Sequence, residues 1–88
     1  MNQEARKEFF KAVARIKSSE GAQKFFQDLL SGSEIRDITR RFKCARLLYQ
    51  DETYQTIEEL LGMGPLTIAK IHTKTRTSEI LPKLFKSS

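Results

Sequence analysis

Between Thr53 and Thr73 the chain reads TYQTIEELLGMGPLTIAKIHT. Ile57 and Leu61 fall four residues apart before Gly62, and Ile68 and Ile71 fall three apart after it, so each side presents one apolar face at helical period. Thr53 is placed to cap a first helix. Gly62 can end that helix in the left-handed conformation, which a residue without a Cβ adopts freely. Pro65 suits the first turn of a second helix, where no amide is needed and φ is already set. The segment therefore commits the chain to two short hinged helices packed together through Ile57, Leu61, Ile68 and Ile71, with Leu60 expected to join them. This is the pattern of a helix-turn-helix over about residues 53–75, a unit that can place its second helix in the major groove of DNA.

The remainder reads as helical scaffold. Residues 3–17 carry Phe9, Val13 and Ile16 at intervals of four and three, with Arg6, Lys7, Lys11, Arg15 and Lys17 mostly on the wet side. Ser18 is an N-cap candidate for a helix holding Phe25, Phe26, Leu29 and Leu30. The adjacent aromatics there cannot share one narrow stripe, which predicts a wide buried face of the kind found between subunits. Ser31-Gly32-Ser33-Glu34 is a capping box. It opens a long helix to about Gln50, with an apolar stripe of Ile35, Ile38, Phe42, Ala45 and Tyr49. Thr77 or Ser78 can cap a last short helix, in which Pro82 is tolerable only in the first turn. No alternating apolar run predicts a strand, so the fold class is all-α.

At 88 residues the chain is expected to be one small domain, residues 1–88. Chains this short bury a limited share of their surface and often need a metal, disulfides or a partner subunit. Cys44 is the only cysteine and His72 the only histidine, so no disulfide can form within one chain and a structural zinc site is not expected. That leaves a second copy as the expected source of burial. Lys and Arg total 16 against 11 acids, a formal charge of +5, which favours a polyanionic partner. No apolar run is long enough to span a membrane and no signal segment opens the chain, so a soluble cytoplasmic protein at the nucleoid is expected.

On the second helix, Pro65, Leu66, Thr67, Ala69, Lys70, Thr73 and Lys74 should be exposed. Gly64, Pro65, Leu66 and Thr67 would approach base edges, where Thr67 offers a hydroxyl and a methyl and Leu66 offers apolar contact alone. Lys70, Lys74 and Arg76 suit phosphates or guanine. Thr53, Tyr54 and Gln55, at the start of the first helix, can donate to phosphate. No nucleophile stands at a suggestive spacing from His72, adjacent Glu58 and Glu59 point in different directions, and the Gly62-Met63-Gly64 turn is too short to cradle phosphates, so no enzyme is predicted. The alternative is a helical, dimeric protein-interaction module without DNA binding. Glu58 favours it, because a glutamate adds negative charge beside the turn.

The phrases FFQDLLSGSEI, ITRRFKCARLLYQDETYQTI and ELLGMGPLTIAKI carry a further signal, in their order along roughly residues 25–76. Through them the chain resembles the Trp repressor superfamily, most closely the small YerC/YecD-type Trp repressor-like proteins. The resemblance implies about six helices and an intertwined homodimer whose two helix-turn-helix units reach successive major grooves of double-stranded DNA. It implies a sequence-specific, repressor-like transcriptional regulator. It also places an effector pocket at Ser31, Arg41, Lys70 and Ile71. Tryptophan-binding members clamp the indole between two arginines. Arg41 matches the first, but Lys70 stands at the second, and Ile71 and Lys74 replace a glycine and a serine. Lysine lacks the flat guanidinium that stacks on an indole, and Ile71 would fill the space that glycine leaves. The resemblance therefore implies a regulator without a cofactor or a tryptophan corepressor. A tryptophan-dependent repressor is the other outcome.

Overall fold

The computed structural model describes residues 2–86. Six helices follow in order: α1 (Gln3–Ala14), α2 (Ser19–Leu29), α3 (Gly32–Tyr49), α4 (Tyr54–Leu61), α5 (Pro65–Thr75) and α6 (Ile80–Lys86). There is no strand among the described residues, and the fold is all-α as the periodicity predicts.

Local chemistry sets most of the boundaries. The Asn2 side chain accepts from the Glu4 amide, and the Ser18 hydroxyl accepts from the Gly21 amide at 2.9 Å. The Ser31 amide donates to Glu34 Oε1 at 2.9 Å while the Glu34 amide donates to Ser31 Oγ at 3.2 Å, the reciprocal pair of a capping box. Of the two candidates before α6, Ser78 is the cap, accepting from the Leu81 amide. The first helix stops at Ala14 rather than Lys17, because the Arg15 and Ile16 amides turn back to the carbonyls of Ala12 and Val13 in a tightened last turn. Asp51 ends α3 at φ 62°, with the Asp51 amide on Leu48 O and the Glu52 amide on Leu47 O. These are the two bonds of a Schellman motif, and aspartate is one of the few residues besides glycine that enters the left-handed region at modest cost.

The described residues form two compact units, one up to Ile35 and one from Arg36 onward. The first holds α1 and α2. Phe9 meets Phe25 at 5.8 Å between ring centroids, and Phe25 meets Phe26 edge-on. No residue of either helix is buried, and Phe10 and Leu29 are each 60% exposed.

The second unit closes on a core of Cys44, Ala45, Leu47, Ile57, Ile68, Ile71 and Phe85, edged by Leu48, Tyr54, Leu61, Met63 and Leu81. Burying each of the isoleucines contributes about 1.5–3 kcal/mol. Two sequence expectations change here. Leu60 is 63% exposed, because the buried face of α4 runs through Tyr54, Ile57 and Leu61 and neighbouring residues on a helix differ by about 100°. On α3 the buried side is carried by Cys44, Ala45 and Leu47. Of the expected stripe, Ala45 joins that core and Ile35 is half-buried, while Ile38, Phe42 and Tyr49 form a second apolar face that stays exposed, apart from contacts of the Phe42 and Tyr49 rings with Phe85. No helix among the described residues is long and apolar enough to cross a membrane.

Candidate nucleic-acid interface

The helix-turn-helix is assembled from both ends. The Thr53 hydroxyl accepts from the Thr56 amide at 3.1 Å and donates to Thr56 Oγ1 at 3.0 Å, fixing the entry to α4. At the exit Gly62 takes φ 64°, ψ 33°, and its amide closes on Glu58 O. A Cβ at Gly62 would find space, with Arg40 Nη2 nearest at 3.9 Å, so glycine is required here by the backbone angle and not by crowding. Gly64 then occupies the N-cap of α5 in extended conformation and Pro65 the first helical position. Ile57 and Ile68, both fully buried, lock the pair together.

Three non-local hydrogen bonds fix the motif further. Arg40 of α3 donates from Nη2 to Leu61 O at 2.6 Å and to Gly62 O at 3.2 Å. These are carbonyls of the α4 C-terminus, where a cation also meets the negative end of the helix dipole. The Tyr54 hydroxyl meets His72 Nδ1 at 3.0 Å, tying the first turn of α4 to α5. Sequence reasoning did not single out Arg40. The available signal was its position four residues before Cys44, on the face that becomes buried.

The residues expected to meet DNA divide into two groups. Gln55, Gly64, Pro65, Leu66, Thr67, Lys70, Lys74 and Arg76 are exposed. On α5, Thr67, Lys70 and Lys74 follow at intervals of three and four, which places them along one face. Ala69, expected to be exposed, is half-buried. At the start of α4, Thr53 and Gln55 are exposed, with the Thr53 hydroxyl engaged in the cap, and the half-buried Tyr54 has its hydroxyl on His72.

The residues assigned to an effector pocket fall in both units. Ser31 belongs to the first unit, where it caps α3. In the second unit Arg41 and Ile71 line an open groove of about 350 Å³, with Phe42, Ala45, Lys74 and Leu81. Lys70 does not line it. Ile71 is 3% exposed and belongs to the core. A second groove, of about 310 Å³, is polar and lies against the turn, between Asp37, Arg40 and Arg41 on one side and Gly62, Gly64 and Thr67 on the other. Cys44 is fully buried. Burial pushes its thiol above the usual range, partly offset by the Arg41 charge, so it stays protonated and unreactive. Among the described residues no group of three or more His, Cys, Asp or Glu could hold a metal ion.

Comparison with known proteins adds three findings. The Trp repressor protein family matches residues 4–83 of the chain. The uncharacterized protein YerC of Bacillus subtilis (strain 168) is 31% identical over 64 residues, which cover 73% of this chain. The match spans 62% of that relative's length. No solved structure matches the chain at a significant level.

Proposed function

Because the chain belongs to the Trp repressor family, we propose that it is a DNA-binding transcriptional regulator that acts as a homodimer in the cytoplasm, at the nucleoid. The observation that carries this reading is the fixed geometry of α4 and α5. Capped, hinged and tied to α3 by Arg40, they leave an α5 surface that bears Thr67, Lys70 and Lys74 and has no acid in its first turn. In the major groove, Leu66, Thr67 and Lys70 would read bases, while Lys74, Arg76, Gln55 and the α4 N-terminus would hold phosphates. The second copy would cover the wide apolar faces of α1 and α2 and the outer face of α3, which the chain alone leaves exposed. Two α5 helices would then address a two-fold site.

Tryptophan has no part in this reading. Ile71 is already packed in the core where an indole would need room, and Lys70 does not line the groove beside it. The protein would then be competent for DNA without a ligand. Saturable tryptophan binding at micromolar levels by calorimetry contradicts this.

Retardation of a random duplex at low salt, with affinity falling steeply as salt rises, is the expected signature. No retardation at tens of micromolar protein would leave the helical interaction module as the better reading. Thr67→Ala should weaken binding to a selected site by about 1–3 kcal/mol and leave non-specific binding unchanged. An equal loss on every sequence shows that Thr67 does not read bases.

A further inference from the structure

Leu66 is the most exposed large apolar side chain among the described residues, at 77%. Exposed leucines are ordinary one at a time, and exposure alone argues nothing. The position is what distinguishes this one. Leu66 stands in the first turn of α5, between Pro65, which has no amide hydrogen, and Thr67. It makes no part of the core, which α5 supplies through Ile68 and Ile71. Nothing lies within 4 Å of where a Cβ on Gly64 would be, so the approach to this end of the helix is open.

The chemistry available there is narrow. Pro65, Leu66 and Thr67 carry no charge, no amide side chain and no guanidinium, so they cannot make the bidentate bonds that identify guanine or adenine. The one apolar group that a base edge shows in the major groove is the C5 methyl of thymine. Lys70 lies four residues on and on the same face as Leu66, so a cation stands one turn away. It draws the helix end onto the polyanion and leaves Leu66 as an apolar element beside the base edges.

Resting on the DNA-binding reading above, we propose that Leu66 is a thymine reader. It packs on the C5 methyl of one thymine per half-site, beneath the start of α5, and makes that thymine a requirement of the operator.

Deoxyuridine supplies the test, because it lacks only the methyl and keeps every hydrogen-bonding group. Sites are first enriched from a random duplex pool with the full chain. Each thymine of the enriched half-site is then replaced singly by deoxyuridine, and affinity is read by fluorescence anisotropy. At one position the replacement should weaken binding about three- to five-fold, the scale of one buried methyl group. Leu66→Ala, which removes an exposed side chain, should keep its helical spectrum and show no loss on that replacement. A cytosine at the same position should bind poorly and 5-methylcytosine should recover part of the loss. The proposal is overturned if no deoxyuridine position matters, or if Leu66→Ala loses as much as the parent chain. Enrichment with normal affinity but no methyl dependence overturns only the thymine reading. Failure to enrich any sequence or to bind any duplex removes the DNA-binding reading with it.

Discussion

The two units of this chain spend similar apolar material on different ends. From Arg36 onward, α3 to α6 close on an interior in which Cys44, Ile57 and Ile68 are fully buried. Up to Ile35, α1 and α2 carry four phenylalanines and bury none of them. The unit that holds the helix-turn-helix thus supplies its own rigidity. The unit without an interior presents side chains that ordinary folding would hide, which is the expected form of a surface awaiting a second copy. On the dimer proposed above, stability and assembly would be divided along the sequence, and substitutions should separate them.

The largest effect is expected inside the second unit. Ile68→Ala leaves a cavity between α4 and α5 and should cost about 2–5 kcal/mol in urea denaturation. A smaller loss would mean that the interior is looser than its burial indicates. Next comes Phe10→Ala in the first unit. It removes no core contact of the second unit, yet should weaken the dimer by about 2 kcal/mol, roughly thirty-fold in dissociation constant by sedimentation equilibrium. An unchanged dimer places the interface elsewhere.

Arg40→Ala comes third, costing about 1–2 kcal/mol through the lost carbonyl bonds at the α4 C-terminus, with a parallel loss of DNA affinity. Arg40→Lys keeps the charge without the fork and should recover only part. Full recovery would reduce the contact to simple charge. The smallest effect concerns pH. Burial raises the Cys44 thiol, so ionisation is easier in the unfolded chain than in the folded one. Its contribution to stability is complete below the usual thiol range, about 8.5, and declines as pH rises beyond it. The urea midpoint of the parent chain should therefore fall more between neutral pH and pH 10 than that of Cys44→Ala.

What was legible in the sequence was what is local. Ser18, Ser31 with Glu34, Thr53, Gly62 and Pro65 each act on residues within a turn of themselves, and each performs its expected part. The choice between the two apolar faces of α3 was not legible. Periodicity shows that a face is apolar but not which element will cover it, so Ile38, Phe42 and Tyr49 looked like core while Leu47 was passed over. Arg40 with Leu61 and Tyr54 with His72 are bonds across 21 and 18 residues, which no local pattern announces. Within the candidate site, the exposed row on α5 followed from helical spacing. The bond of the Tyr54 hydroxyl to His72 did not, because it joins two separate helices of the motif.

A first unit without an interior has a consequence for the cell. If α1 and α2 find their cover only on a second copy, mass action ties the folded, two-headed form to abundance. Below the dissociation constant the dimer falls with the square of total protein, so occupancy of a two-fold site would drop faster than the protein itself is diluted. The phenylalanines of α1 and α2 would then set a threshold, turning a gradual change in synthesis into a steeper change at the DNA.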